Sequence, residues 1–209
     1  MRRFGAWPCA SCDPASRMIL GVLGSGSGSN LQAILDAIDS GRLDASVAIV
    51  LSDRADAFIL ERARRHGIVT GVIDCRGFRS RFPEDAQRET AAVLRGSGVG
   101  FVCLAGFMRL IGAPLLDAYP GRILNIHPSL LPDFPGLEAW KQALAAGVVE
   151  TGCTVHIVDE GMDSGPVILQ ERVPVLADDT PESLHARIQQ AEHRAYPEAL
   201  RRMAASSLE

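Results

Sequence analysis

The fold turns on residues 18–30, MILGVLGSGSGSN. The apolar run MILGVLG (18–24) has the make-up of a buried strand, and the glycine and serine turn after it passes directly into SNLQAILDAIDSG (29–41), a segment of helical period. The next two runs repeat the unit, SVAIVLS (46–52) as strand and DAFILERARRHG (56–67) as helix, so the chain opens βαβα. The alternation continues through IVTGVI (68–73), a helix near 84–95 closed by Gly96, FVCLAG (101–106), RILNIH (122–127), TVHIVD (154–159) and VILQERVPV (167–175), and ends in a helix over about 181–203. Gly41, Gly67 and Gly147 stand where helices should stop, each able to take a left-handed cap.

The early strands are almost wholly apolar and are separated by helix-length crossovers. This predicts an α/β architecture: a mostly parallel, twisted, Rossmann-like sheet with helices on both faces. In such sheets ligands lie beyond the carboxyl ends of the strands, so the residues just after each apolar run are the candidates for chemistry.

With 209 residues, 47% of them hydrophobic, the chain is long enough for one full core. The domain is expected to span 17–209, and residues 1–16 read as an N-terminal extension expected to be disordered. A net charge of −4 gives no long-range pull toward nucleic acid or an anionic membrane, so an anionic ligand must be caught by local geometry. No apolar run approaches the ~18 residues that span a bilayer, and the N-terminus lacks the apolar stretch of a secretory signal; a cytoplasmic protein is expected. Cys75, Cys103 and Cys153 are scattered, the last two in apolar runs, as reduced core thiols would be. Cys9 and Cys12 form a CxxC without a second Cys or His pair nearby to complete a metal site.

Four strand ends carry candidate chemistry. After the first strand, Gly24 to Asn30 make a glycine-rich turn at a helix start, where free backbone N–H groups suit a phosphate. It matches neither GxGxxG nor a P-loop: Ser29 and Leu31 stand where glycines are needed, and no Lys-Ser or Lys-Thr follows. Second, in NIHPSLLP (125–132), Asn125 and His127 project to the same side of a strand, placing an amide donor beside an imidazole. Acyl transfer needs such a pair, one donor for the oxygen that becomes negative and one group that handles a proton near neutral pH. Third, TVHIVDEGMDSGP (154–166) brings His156 on a strand and Asp163 in a glycine-containing loop, where a carboxylate could favour the charged form of a neighbouring imidazole. A satisfied strand histidine and a turn aspartate are the bland readings of the same residues. Fourth, Gly106 to Ile111 interrupts an apolar stretch with Arg109, which suits a flat aromatic ligand with a charged tail and equally suits a loop packed on the core.

Together these segments resemble the phosphoribosylglycinamide formyltransferases of purine biosynthesis, from about Met18 to Met203. The likeness rests on NIHPSLLP followed by DEGMDSGPVILQ. It implies the Rossmann-like formyltransferase fold and 10-formyltetrahydrofolate as the formyl donor. It also implies glycinamide ribonucleotide as the acceptor, no metal, and no nucleic-acid or membrane partner; a monomer or a homodimer is compatible with it.

By position, the resemblance makes Asn125, His127 and Asp163 the catalytic trio. It gives the substrate phosphate to Gly28, Ser29 and Asn30 and the ribose to Glu192 in QQAEHRAYP. Met108, Arg109, Leu110 and Ile111 would line the folate pocket with Asn125, Arg81 in FRSRFPED would contact folate, and Thr154 and His156 would order water near the site.

The run Asp133-Phe134-Pro135-Gly136-Leu137-Glu138-Ala139-Trp140 departs from the basic residue and histidines that the family carries there, which removes the expected substrate contacts of this loop. Two rivals share the core. Formyltetrahydrofolate hydrolase sends water to the formyl carbon, usually with an N-terminal regulatory domain and a second histidine where Pro128 stands. The tRNA formyltransferases append a C-terminal nucleic-acid-binding domain. About seventeen residues precede the first strand here and little follows the last helix, so neither is expected. A dinucleotide-binding module would use the glycine turn and Asp53 after the second strand, leaving the trio without a role.

Overall fold

In the computed structural model, residues 17–78 and 81–206 are described. The extension boundary and the Cys9–Cys12 pair lie outside them. Strands β1 (Met18–Leu23), β2 (Ala45–Ser52), β3 (Val69–Val72), β4 (Phe101–Leu104), β5 (Ile123–His127), β6 (Glu150–Ile157) and β7 (Val167–Pro174) form one sheet in the order β3-β2-β1-β4-β5-β6-β7. The first five run parallel, while β6 and β7 each pair antiparallel with the preceding strand. Helices α1 (Ser29–Asp39), α2 (Phe58–Arg65), α3 (Glu84–Gly96), α4 (Ala113–Leu116), α5 (Ala139–Ala145) and α6 (Pro181–Ser206) complete the order.

The apolar strands have a double duty that explains their composition. On one face Leu20, Val22, Val50, Cys103, Leu124 and Val155 pack with α1, α2 and α6; on the other Leu23, Ile49, Leu51, Val102, Leu104 and Ile123 pack with α3 and α4. Strands buried on both sides lose the polar-apolar alternation of a one-faced sheet. The edge strand β7 is largely exposed and carries Gln170, Glu171 and Arg172, charge and polarity that protect an open edge. Helix α6 is sewn to the sheet centre: Leu184, Ile188, Ala191, Ala195, Tyr196, Ala199 and Leu200 are buried, and the Tyr196 hydroxyl reaches the carbonyl oxygens of Leu104 (3.1 Å) and Leu124 (3.0 Å).

Gly41, Gly67 and Gly147 all take the expected positive φ. Three details differ from the sequence reading. Gly96 is the last residue of α3, and the left-handed turn belongs to Gly98 (φ 71). Strand β6 begins at Glu150, because its pairing with β7 extends it. Periodicity alone left α4 and α5 unassigned; both are short, and only Gly147 announced the end of α5.

The strand order reverses between β1 and β4, which lie side by side although separated by two βα units. The crevice at their carboxyl ends therefore faces the glycine turn after β1 and the loop after β4, and β5 delivers its last residues beside it.

Candidate active site

The antiparallel pairing of β5 with β6 sets the site. Its register places Asn125 opposite His156 and His127 opposite Thr154, so all four side chains share one face. His156 is 2% exposed, and its Nδ1 sits 3.0 Å from the Ile157 carbonyl, which only accepts; Nδ1 therefore carries the proton. Burial pushes its pKa below the ordinary 6.5. The ring is thus neutral, and its Nε2 lone pair accepts from the Asn125 amide at 3.2 Å. That contact turns the NH2 of Asn125 toward the ring and leaves its second N–H to serve a substrate. Asp163 Oδ1 also lies 3.7 Å from His156 Nε2, but with no proton on that nitrogen the approach is not an ion pair.

His127 carries its N–H on the other ring nitrogen. Its Nε2 lies 2.8 Å from the Phe134 carbonyl oxygen and its Nδ1 lies 3.3 Å from Asp163 Oδ2. The carbonyl only accepts, so Nε2 carries an N–H, and the carboxylate beside Nδ1 stands where it would balance the charge of an imidazolium. Asp163 is held in turn by the Gly136 N–H at 2.9 Å and sits at φ 53, a left-handed turn that swings its carboxylate back over β5 and β6. The loop permits this because Gly165 passes against β6: a Cβ there would lie 1.8 Å from the Ile157 carbonyl oxygen. Asn125, His127 and Asp163, far apart in the chain, thus converge as expected.

Residues 133–140, whose side chains depart from the family, enter the site through the main chain. Phe134, at φ 54, aims its carbonyl at His127, and Gly136 gives its N–H to Asp163. No reading of side-chain types signals such contacts. The departing side chains are used elsewhere: Glu138 pairs with Lys141 at 2.5 Å, and Trp140 stacks on His185 with ring centres 3.7 Å apart. Thr154 also differs from expectation. Its hydroxyl donates to the Ser129 carbonyl (2.7 Å) and accepts from Leu131 N and Gln170 Nε2 (3.0 Å each), so it is fully used in pinning the turn after β5 and orders no water.

The glycine turn is braced from below. Ile59 N–H reaches the Gly26 carbonyl (3.0 Å) and Arg62 Nε the Ser27 carbonyl (2.8 Å), while Gly28, at φ 72, approaches Ile59 so closely that a Cβ would lie 2.7 Å from its side chain. Helix α1 starts there with no capping side chain and no acid in its first turn, which leaves its N-terminal dipole open to an anion. Asn30 and Glu192 meet behind it: Asn30 Nδ2 donates to Glu192 at 2.9 Å, and burial pushes the Glu192 carboxyl up to about 7. Asn30 Oδ1 is buried without a partner. The Asn30 side chain is therefore an orienting group with a spare acceptor, and what it can offer a phosphate is its main-chain N–H.

On the β4 side, the Met108 N–H binds the Ser25 hydroxyl at 3.0 Å, joining the two loops. Met108 and Leu110 are exposed and Ile111 is buried. The Arg109 side chain turns inward, its Nε 2.6 Å from Asp53 Oδ2, with both side chains under a tenth exposed. The Arg109 guanidinium thus points into the protein, leaving the main chain of this loop toward the crevice, and Asp53, which a dinucleotide-binding module would use, is buried against it. Arg81 is exposed beside the Phe78 ring. A cavity of about 310 Å³ opens beside Ser29, lined by Gln32, Asp36, Arg42, Arg62 and His193. Cys103 and Cys153 are fully buried with thiols pushed up to about 12, inert as expected of core cysteines. Among the described residues no group of three or more His, Cys, Asp or Glu could hold a metal ion, and no helix is long and apolar enough to cross a membrane.

A mostly parallel sheet with an amide, an imidazole and a carboxylate gathered at its carboxyl rim has the geometry that acyl-group transfer needs. The chain belongs to the formyl transferase family, which it matches over residues 18–200. It is 54% identical to a glycinamide ribonucleotide transformylase 1 from Symbiobacterium toebii of known crystal structure, with a TM-score of 0.88 over 91% of this chain and 89% of that one. It is 48% identical to the phosphoribosylglycinamide formyltransferase of Escherichia coli K12 over 84% of this chain and 82% of the relative. It is also 50% identical to the trifunctional purine biosynthetic protein adenosine-3 of Drosophila melanogaster, over 88% of this chain. The match spans only 14% of that longer protein.

Proposed function

We propose that this protein transfers the formyl group of 10-formyltetrahydrofolate to the amine of glycinamide ribonucleotide in purine biosynthesis. The observation that carries the reading is the convergence of Asn125, His127 and Asp163: the Asn125 amide bonds His156, and Asp163 lies 3.3 Å from His127 and 3.7 Å from His156, at the same carboxyl rim as the uncapped start of α1. The relatives named for this activity are similar along nearly the whole chain.

In the reaction, the amine nitrogen attacks the formyl carbon and the carbonyl electron pair moves to oxygen. The oxyanion is met by the free N–H of Asn125 and by an N–H of His127, whose Nε2 exchanges the Phe134 carbonyl for it. Asp163 balances the imidazolium throughout. Collapse breaks the bond between the formyl carbon and the folate nitrogen, and the proton lost by the amine passes through water near Asp163 and His156 to that nitrogen. The first turn of α1, at Gly28, Ser29 and Asn30, takes the phosphate through main-chain N–H groups; Glu192 and the spare Asn30 oxygen take ribose hydroxyls. Met108 to Ile111 line the folate ring and Arg81 meets its anionic tail. Holding two substrates face to face is worth on the order of 7–11 kcal/mol of the barrier.

The test is direct. Incubation with 10-formyltetrahydrofolate should release tetrahydrofolate only when glycinamide ribonucleotide is present; release without it would identify a hydrolase, for which Pro128 replaces the expected second histidine. Asn125→Ala and His127→Ala should fold normally and lose turnover by roughly 10²–10³-fold. Near-wild-type turnover in either at saturating substrates would overturn the assignment.

A further inference from the structure

The chemistry above makes no use of Asp53, yet its carboxylate is buried at the carboxyl rim, immediately after β2. Its Oδ2 holds Arg109 Nε at 2.6 Å, and the same guanidinium donates through Nη1 to the carbonyl oxygens of Phe78 (2.9 Å) and Arg81 (2.6 Å). One planar cation thereby ties the end of β2, the loop after β4 and the segment after β3. Only a fork of several fixed donors can make all these bonds, which a lysine cannot.

What the tie holds in place is informative. Arg76, in the same segment, is neutralised by Asp74, Asp85 and Glu89. Arg81 has no ion-pair partner among the described residues and stands exposed beside Phe78, its guanidinium carbon 5.5 Å from the ring centre. The backbone carbonyl of this unpaired cation is the one that Arg109 grips most closely.

We propose that Asp53 and Arg109 form a positioning clamp that sets where the Arg81 guanidinium stands, and so how tightly the site holds the anionic tail of its folate co-substrate. The inference rests on the folate reading and goes beyond it in assigning tail recognition to a buried pair that touches no substrate. Without the carboxylate, a buried guanidinium loses its counter-charge and turns toward water, releasing both carbonyls.

The test compares Asp53→Ala with the wild type on two co-substrates, 10-formyltetrahydrofolate and the tail-less 10-formyltetrahydropteroate, under saturating glycinamide ribonucleotide. Asp53→Ala should raise KM for the tailed co-substrate by about tenfold or more, with kcat nearly constant and KM for the tail-less one little changed. Asp53→Asn, which keeps an acceptor oxygen for Arg109 but not the counter-charge, should fall between Asp53→Ala and the wild type. A parallel rise in both KM values, or a fall in kcat alone, overturns the clamp in favour of a merely structural pair. Trypsin supplies a readout independent of folate: cleavage after Arg81, mapped by mass, should quicken in Asp53→Ala and in Arg109→Lys. Unchanged cleavage in folded protein overturns the clamp even if the wild type proves inactive on both folates, an outcome that would instead sink the folate reading. If Asp53→Ala does not fold, Arg109→Lys carries the same cleavage and KM comparison.

Discussion

Three polar side chains at the site are distinguished by where their protons sit. Asn125, His127 and His156 lie on adjacent strands, yet one imidazole faces a carbonyl and a carboxylate while the other must accept from an amide. Burial favours the neutral His156 that this requires, and the resulting stability is present above the ordinary histidine value of 6.5 and falls as the pH drops below it. Protonation of His156 Nε2 would expel the Asn125 amide from its hydrogen bond. We therefore expect turnover at saturating substrates to fall on the acid side, below 6.5. In His156→Gln, whose side-chain oxygen accepts at every pH, that acid limb should be absent; a pH-rate profile in which it persists unaltered refutes the role given to His156.

At the scale of the element, the loop between β6 and β7 works because it can fold tightly against the strand it leaves. Its two close glycines differ in what they meet. A Cβ at Gly165 would strike the Ile157 carbonyl, which belongs to β6 and cannot yield, whereas one at Gly161 would meet chiefly the Ser164 hydroxyl, the end of a side chain that can rotate away. Gly165→Ala should displace Asp163 by about an ångström and lower kcat by on the order of 10²-fold, with Gly161→Ala much milder. Steady-state kinetics on the two variants decide it: equal effects would mean that the loop is not anchored through Gly165. The need for glycine was legible as a turn signal in DEGMDSGP, but its cause, an approach to a carbonyl one strand away, was not.

Across the whole molecule, the contact between Asn30 and Glu192 joins α1 to α6 over 162 positions of sequence. It is costly near neutral pH. Glu192 ionises near 4.5 when exposed and at about 7 here, so the folded protein is favoured below 4.5, and that advantage drains away as pH rises through about 7, a change of roughly 3 kcal/mol. Glu192→Gln cannot ionise, and its amide can donate to the unpartnered Asn30 Oδ1. The variant should melt several degrees above wild type at pH 8 and about equal to it at pH 4.5, while KM for glycinamide ribonucleotide rises. Matching melting curves at pH 8 would contradict the buried-carboxyl account. The site thus keeps a group that the fold would be more stable without, as expected where ligand binding sets the choice.

Strand and helix periods, glycine stops and the shared face of Asn125 and His127 are local properties, and a chain read residue by residue displays them. The parallel part of the sheet, the glycine turn at a helix start and the pairing of Asn125 with His127 were legible for that reason, whereas Asp163 was joined to them by the family resemblance. The inward turn of Arg109, its capture by Asp53, the exhaustion of the Thr154 hydroxyl and the entry of Phe134 and Gly136 through their backbones were not. Each depends on which donor meets which acceptor across segments remote in sequence, and hydrogen-bond pairing at a few ångströms is settled only when the packed chain brings those atoms together.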